Sequence, residues 1–327
     1  MITMSEALGN QQRERFNYDI RSYDEVSHSI DALDFYEEKG SDIAVAHVNG
    51  EIAGYLVYES DDTFTELDLL EVLPFWQGID IDGRKPAKDL IQHVADTSPS
   101  ETGLITYCNA GNGKIQYMAE QQGLETRGLK IESNMDDGIT PIMTKPGENS
   151  FSEVEAFLSP SVRTAAEAAS DEDILLDYQT NEQTQGYDID YQNISQHGSN
   201  AVKANLNEGS RPLNSVLSEL RDLEEVRPSS WAYTVDFEIH DPAAFSITDE
   251  LAGQNWSLVN IERDGRATMF KPVRESEPFR ATPRTQEFLD DVGLPYRIDE
   301  QGERSDTISV IPAKDQDVSY KQPITAD

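Results

Sequence analysis

A short segment of the sequence combines residue types that can hold an anion. The pairs Gln77-Gly78 and Gly83-Arg84 lie between an apolar-rich strand and a helix that begins near Pro86. The helix has one buried stripe at the i, i+3, i+4, i+7 spacing, formed by Ala87, Leu90, Ile91 and Val94. In such a unit free backbone N–H groups and the helix dipole point at one place, and proline suits the first helical turn. The segment therefore predicts an anion site, although an ordinary strand–helix connection has the same pattern.

The net charge of −36 is the strongest bias in the composition of the 327 residues. Acidic residues are spread along the whole chain, and 37% hydrophobic residues with clear periodic segments favour folded domains over an acidic disordered protein. We interpret the charge as that of a cytoplasmic protein from a salt-in halophile, where high ionic strength screens self-repulsion. No basic stripe exists to displace counterions from phosphates, so a nucleic-acid partner is not expected.

Cysteine and histidine usage gives no metal site. Cys108 is alone, and the five histidines are scattered without ligand-pair spacing. The N-terminal residues have no apolar core typical of a signal peptide, and no run approaches the roughly 20 apolar residues of a membrane span. We therefore expect a soluble, intracellular protein with neither a metal cofactor nor a membrane partner.

The elements around this segment follow the order β-α-β-β-β-α-β-α-β-β, a mixed, mostly antiparallel α/β (α+β) sheet flanked by helices. Asn49-Gly50 is a strong hairpin signal, and Gly123 is placed to end the last helix. The predicted strands cover residues 16–20, 43–48, 52–57, 64–74, 103–108, 124–131 and 139–144, and the predicted helices cover 24–38, 86–96 and 113–122.

This order and its residues resemble the GNAT family, the Gcn5-related N-acetyltransferases, over about residues 15–145. The resemblance rests on the hairpin Asn49-Gly50, the strand end Val72-Leu73-Pro74 before Phe75-Trp76, the turn Gln77-Gly78, and the spacing from Asn112 to Gly123-Leu124. In that family the strand end offers backbone groups to the pantetheine arm and acetyl group of acetyl-CoA, and the turn cradles the diphosphate. By position, the resemblance implies these acetyl-CoA-binding residues: Leu70, Glu71, Val72, Gln77, Gly78, Asp82, Gly83, Arg84 and Asn112.

The turn departs from the family pattern Gln/Arg-x-x-Gly-x-Gly. It is one residue longer and carries Asp80 and Asp82, whose carboxylates would repel a diphosphate. Strong salt would screen an exposed carboxylate, and both side chains could also point outward and leave only N–H groups toward the ligand. The alternative is a decayed loop that no longer binds CoA.

The candidate catalytic residues are Glu66, Asp68, Tyr107 and Tyr117. Many relatives place a Glu five residues before the Asn and a Tyr four residues before the helix-ending Gly; those positions are Tyr107 and Ala119 here. Tyr117 lies two residues from Ala119, about 200° around a helix, so it does not simply replace the family Tyr.

Three acids on the central strand are the remaining candidates for a base. Strand alternation places Glu66 and Asp68 on the face of Leu70 and Val72, and Glu71 on the other face. Each is equally consistent with a solvated acid on a strand face. Positioning of the amine and polarisation of the carbonyl by backbone N–H groups at a strand bulge would support the chemistry without a dedicated base.

The second half of the chain repeats an α-β-α-β-β order with matching spacing. The distance from Pro86 to Gly103 corresponds to that from Pro212 to Trp231, and Asp241-Pro242 opens a helix that Gly253 ends. We predict a GNAT-like acyltransferase domain at 1–148, a degenerate GNAT-like second domain at 149–275 that shapes the acceptor site without binding CoA, and a C-terminal extension at 276–327 with a short helix and a hairpin. An unrelated α+β domain is the alternative.

The resemblance implies an N-acyltransferase that moves an acetyl group from acetyl-CoA to an unidentified small-molecule or peptide amine. The alternative is a non-catalytic GNAT-derived protein, either a ligand sensor or an assembly partner. The protein is expected to be a monomer or a homodimer.

Overall fold

A computed structural model of the chain describes residues 17–23, 31–62, 64–81, 83–99, 102–108, 113–131, 138–147, 152–170, 174–179, 186–192, 201–274, 278–298 and 308–312. The chain divides into two compact units, of which the first ends at Pro99 and the second begins at residue 100. Several predicted features lie outside the described residues: Asp82, Asn112, the helix start at 24–30, the loop 109–112, the turn residues 134–137 and the turn 300–303.

The first unit has an antiparallel sheet with helices packed on it. Its strands lie in the order β1-β2-β3-β4: β1 (Tyr18–Ser22), β2 (Asp42–Val48), β3 (Glu51–Ser60) and β4 (Phe64–Val72). Its described helices are α1 (Asp31–Lys39) and α2 (Pro86–Thr97), and a 3₁₀ turn spans Pro74–Trp76. The predicted order of strands and helices is therefore confirmed for this unit.

Local sequence explains the main elements of this unit. Asn49 and Gly50 have φ values of 55° and 82°, the left-handed conformation that a two-residue hairpin turn requires, so the predicted β2–β3 hairpin is confirmed. Helix α2 packs against β2, β3 and β4 with Leu90, Ile91 and Val94 buried, as its stripe predicts. Pro86 is the first residue of this helix.

The second unit contains the remaining elements. Its strands are β5 (Gly103–Tyr107), β6 (Glu125–Ile131), β7 (Ile139–Lys145), β8 (Ser152–Ala156), β9 (Ile174–Tyr178), β10 (Gly186–Gln192), β11 (Val202–Glu208), β12 (Arg211–Pro212), β13 (Ala232–Glu238), β14 (Ser257–Ile261), β15 (Arg266–Pro272), β16 (Phe279–Ala281), β17 (Tyr296–Ile298) and β18 (Ile308–Pro312). Its helices are α3 (Gly113–Gln121), α4 (Arg163–Ala169), α5 (Leu213–Arg221), α6 (Leu223–Val226), α7 (Ala243–Ala252) and α8 (Pro283–Asp291).

Two parts of the second unit share one connectivity. In the first, α3 follows β5 and precedes β6 and β7, and the sheet order is β5-β7-β6. In the second, α7 follows β13 and precedes β14 and β15, and the order is β13-β15-β14. All of these pairings are antiparallel, whereas β11 and β13 are parallel neighbours. The repeat that the spacing predicts is therefore present, and its assignment as a degenerate GNAT-like domain stays a prediction.

The prediction of a mixed, mostly antiparallel sheet flanked by helices is confirmed. Strands β17 and β18 pair antiparallel and are the two strands of the predicted C-terminal hairpin. The elements of the second unit that were not predicted are β8, β11, β12, β16 and α6. One apolar core in this unit has members from Leu129 to Val310, and the predicted boundaries after residues 148 and 275 stay predictions. No helix in the described part of the chain is long and apolar enough to span a membrane.

Candidate cofactor site

Strand β4 contains a bulge at Asp68. Along its pairing with β3, Val57 lies opposite Leu69 but Tyr58 lies opposite Leu67, so Asp68 is an extra residue without a partner on β3. Asp68 is exposed. An extra residue locally disrupts the hydrogen-bond ladder and re-aims the strand, and such bulges are common beside active sites. The bulge therefore marks the part of β4 where backbone groups can face a ligand.

The bulge corrects the predicted placement of Glu66. Simple alternation puts Glu66 on the face of Leu70 and Val72, but that placement is wrong because one extra residue resets the alternation. By register Glu66 lies on the same face as Leu69 and Glu71. The candidate bases Glu66 and Glu71 therefore share a face.

The turn after β4 is anchored by apolar side chains at both ends. Trp76 is 9% exposed and Ile81 is 1% exposed, and they pack with Val48 and Ala53 in a small core. The side-chain amide of Gln77 donates to the Val72 carbonyl oxygen at 2.9 Å, which ties the turn back to the strand end. Anchored backbone loses little conformational freedom when it binds, so the turn is a preorganised platform.

Asp80 takes one of the backbone donors expected to face the diphosphate. The Gly83 N–H donates to Asp80 Oδ1 at 2.5 Å, and backbone hydrogen bonds between Ile81 and Arg84 close the turn. Gly78 and Gly83 have φ values of 74° and 88°, and nothing lies within 4 Å of a Cβ built at either position. The carboxylate of Asp80 is therefore an anion that the turn itself supplies to the Gly83 N–H. This differs from the outward orientation of Asp80 that was considered from the sequence.

Three exposed cations surround the N-terminus of α2. Arg84, Lys85 and Lys88 are exposed, and this is the one five-residue window of the sequence with three basic residues. Lys85 is the N-cap residue of α2, and its side chain makes no capping hydrogen bond to the helix. Because Pro86 has no N–H, the backbone amides of Ala87 and Lys88 are the first donors of the helix. Arg84 lies over the ring of Tyr18, with its guanidinium carbon 5.1 Å from the ring centroid. Lys85 and Lys88 are not among the candidate site residues predicted from the sequence. The local density of positive charge at residues 84–88 was the signal that could have indicated them.

Tyr55 and Glu71 form a pair on one face of the sheet. The Tyr55 hydroxyl donates to the Glu71 carboxylate. Burial, reinforced by this bond, raises the pKa of Tyr55 to about 12. Tyr55 is therefore a neutral donor near neutral pH, and Glu71 is held in place by it.

The candidate tyrosines of the second unit are both exposed. Tyr107 ends β5 and is 40% exposed, and the Lys130 ammonium lies 5.6 Å from its ring centroid. Tyr117 is 42% exposed on α3, whereas Ala119 is 1% exposed. Tyr117 thus lies on a different side of α3 from the position where many relatives carry Tyr, as the sequence predicts.

The buried side of α3 carries polar contacts to the C-terminal segment of the same unit. Gln116 donates to the Arg280 carbonyl oxygen at 2.6 Å, and the Glu120 carboxylate accepts from the Thr282 hydroxyl. Thr285 is fully buried and lies 2.9 Å from the Thr126 hydroxyl. This network secures α3 and β6 against α8.

Cys108 is not a candidate nucleophile. It is fully buried, with its Sγ 3.3 Å from the Met143 sulfur, and burial raises the pKa of its thiol to about 12. Within the described ranges, no group of three or more His, Cys, Asp or Glu side chains is placed to hold a metal ion.

Solved structures of acetyltransferases are similar to this chain. A GNAT family acetyltransferase from Elizabethkingia anophelis, solved with acetyl-CoA bound, is 17% identical with a TM-score of 0.32 over 40% of this chain and 98% of that chain. A GNAT family acetyltransferase from Bacillus cereus is 19% identical with a TM-score of 0.31 over 40% of this chain and 97% of that chain. The ribosomal-protein-S18-alanine N-acetyltransferase from Escherichia coli is 17% identical with a TM-score of 0.32 over 41% and 99%. No protein-family model and no curated protein matches the sequence.

Proposed function

We propose that this chain binds acetyl-CoA in its first unit and transfers the acetyl group to an amine. The observation that carries the proposal is the cluster of exposed cations at the start of α2, formed by Arg84, Lys85 and Lys88. The cluster stands out in a chain of net charge −36. It follows directly on a bulged strand and an anchored turn, where the GNAT resemblance of residues 15–145 implies the diphosphate.

The phosphates of CoA would bind mainly to the helix N-terminus and its cations. The amides of Ala87 and Lys88 and the positive end of the helix dipole favour an anion there. The Gly83 N–H already has the Asp80 carboxylate as a partner, so this donor serves a phosphate only if Asp80 turns away. We therefore propose that this chain holds the diphosphate with side-chain charge more than with glycine-rich backbone.

The transfer step places the thioester beside the bulge of β4. The amine nitrogen bonds to the acetyl carbon, the carbon–sulfur bond breaks, and the CoA thiolate leaves with the electron pair of that bond. A carboxylate takes the proton that the amine loses, and we assign this role to the exposed Asp68 at the bulge. Backbone N–H groups near the bulge polarise the carbonyl, and positioning of the two reactants supplies much of the acceleration.

Calorimetric titration of acetyl-CoA tests the cofactor site. Replacing both Lys85 and Lys88 with Ala should weaken binding by about two- to thirtyfold, since each exposed charge is worth roughly 0.2–1 kcal/mol. The matched control is Lys39→Ala, which removes an exposed cation at the end of α1. The titrations belong at both low and high KCl, because the Debye length falls to about 3 Å at 1 M salt. Equal affinities of both variants at low salt would contradict the proposed site.

A thiol-release assay with a panel of amines tests the transfer. Asp68→Asn should lower kcat and leave the acetyl-CoA dissociation constant unchanged, because Asn keeps the size of the side chain but accepts no proton. Glu66→Gln is the control on the same strand, and its kcat should change less. Tight acetyl-CoA binding without thiol release from any amine would instead support the non-catalytic ligand-binding alternative.

A further inference from the structure

The second unit contains a cavity of about 610 Å³ at one end of its larger sheet. The parallel strands β11 and β13 both end there, at Glu208 and Glu238, and helix α7 begins beside them. Ligands of α/β proteins commonly bind outside the carboxyl ends of parallel strands, in pockets of about 300–1,000 Å³. The position and the size of this cavity therefore match those of a small-molecule site.

The floor of the cavity is apolar. Leu206 of β11, Phe237 of β13 and Ile247 of α7 line it and are at most 6% exposed. Tyr187 of β10 also lines it at 2% exposed, and its hydroxyl donates to Asp241 Oδ1 at 2.5 Å. This floor offers a surface for the hydrocarbon part of a ligand.

The rim of the cavity is acidic. Its carboxylates are those of Glu208, Glu238, Asp241 and Asp264, and none of the described lining residues is Lys or Arg. Two basic side chains lie at a distance from the Glu238 carboxylate: Arg266, with Nε 3.7 Å from one oxygen, and His240 of the cavity lining, with Nδ1 3.8 Å from the other. Such a rim disfavours the phosphates of CoA and favours a positive charge.

Asp241 is fixed with one oxygen available. Its Oδ1 accepts from Tyr187 and from the Ala243 N–H at 2.9 Å, and no donor among the described residues contacts its Oδ2. The side chain is therefore held in position by groups that do not neutralise it. A ligand ammonium needs this kind of acceptor, because a preorganised carboxylate costs little to order on binding.

We propose that this cavity binds an organic ammonium cation that has an apolar portion. The apolar portion lies on the floor formed by Leu206, Phe237 and Tyr187, and the ammonium lies at the rim near Glu208 and Asp241. This site shares no residue with the proposed acetyl-CoA site, since all of its lining residues lie in the second unit. Binding of an ammonium cation at this site does not depend on whether the chain transfers acyl groups.

Titration of the full chain with phenethylammonium, without any CoA, tests the proposal. We expect one saturable site with a dissociation constant of about 1 mM, and at least about tenfold weaker binding of the neutral 2-phenylethanol. The same two probes are compared in low and high KCl to separate site binding from general attraction to an acidic protein. No saturation up to about 10 mM, or equal affinity for the neutral probe, would overturn the proposal.

Two substitutions locate the binding. Glu208→Gln removes an exposed charge, and Asp241→Asn removes a charge while it keeps an oxygen for the Tyr187 hydroxyl. Each should weaken phenethylammonium binding by up to about fivefold. Glu225→Gln on α6 is the control, because Glu225 is exposed and does not line the cavity. Thermal melting of each variant verifies folding, and unchanged affinity in folded Glu208→Gln would contradict the assignment.

Discussion

Replacing Gly54 with Ala should displace the end of β4 and thereby weaken the proposed acetyl-CoA site. Gly54 lies on β3 opposite Val72, and a Cβ built on it would lie 2.6 Å from the Glu71 carbonyl oxygen and 3.2 Å from the Val72 Cα. Both contacts are with backbone atoms, so no side-chain rotation relieves them. The two strands must separate locally for the chain to accept Ala.

The size of the displacement follows from these distances. The closest ordinary carbon–oxygen contacts are about 3.3 Å, so the strands must separate by about 0.7 Å. The hydrogen bond from the Leu73 N–H to the Ala53 carbonyl oxygen is 2.9 Å long, and the separation takes it beyond hydrogen-bond range. Losing that bond costs about 0.5–1.5 kcal/mol, and overpacking costs about 1–3 kcal/mol in total.

The assay measures stability and cofactor use together. We expect Gly54→Ala to lower the free energy of unfolding by about 1–3 kcal/mol in urea titrations. We also expect kcat/KM for acetyl-CoA to fall at least about tenfold, because misplacement by 1 Å costs up to about a hundredfold. Gly50→Ala is the matched control: its φ is 82° and no atom lies within 4 Å of the new Cβ. Its strain costs about 1 kcal/mol without displacing β4.

The comparison of the two glycine variants tests whether the end of β4 forms part of the acetyl-CoA site. If Gly54→Ala and Gly50→Ala lose the same stability and use acetyl-CoA equally well, the end of β4 does not form the acetyl-CoA site. A stable Gly54→Ala variant would show that the strands relax at no cost, which contradicts the steric argument.

Three further results follow from charge and burial. Cys108 should react with a thiol reagent at pH 8 only on unfolding, since burial raises its pKa to about 12, and mass spectrometry of labelled protein checks this. Burial raises the pKa of Glu120 in the folded state above its value in the unfolded state. Between these two pKa values the folded state binds more protons than the unfolded state, so the free energy of unfolding falls as the pH rises through that window. Glu120→Gln, which still accepts from Thr282, should therefore melt at a higher temperature at pH 7 and show a smaller decrease of melting temperature above about pH 4.5. The melting temperature of the native chain should rise with KCl, because salt screens a net charge of −36, and a fall on adding KCl would contradict the interpretation of its charge.

Local signals in the sequence predicted most of the first unit. The turn at Asn49-Gly50 and the stripe of α2 each depend on neighbouring residues and on backbone preferences that act over a few positions. For the same reason Gly123, with φ of 84°, was predicted to end α3. Prediction succeeds where the physical cause is local.

The bulge at Asp68 could not be predicted by alternation alone. Residues 66–69 alternate polar and apolar in the sequence, and the adjacent Leu69 and Leu70 are the sign that the alternation resets. Which residue is extra depends on pairing with β3, a tertiary property. The face of Glu66 was consequently assigned wrongly.

Contacts between distant residues escaped prediction altogether. Gln116 contacts Thr285, and Tyr187 contacts Asp241, although 169 and 54 residues separate the members of these pairs. The cavity near Tyr187 exists because β11 pairs with β13, and β11 itself was not predicted. Its acidic lining could not be recognised in the sequence, because Asp and Glu are common along the whole chain.

Hydrogen–deuterium exchange with and without acetyl-CoA tests the central claim most directly. Peptides that cover the end of β4, the turn and the first helical turn of α2, about residues 70–90, should exchange more slowly when acetyl-CoA is bound. The protection should weaken in the variant that lacks both Lys85 and Lys88 and persist in Lys39→Ala. Unchanged exchange in this segment at saturating acetyl-CoA, or protection confined to the second unit, would contradict the proposed cofactor site.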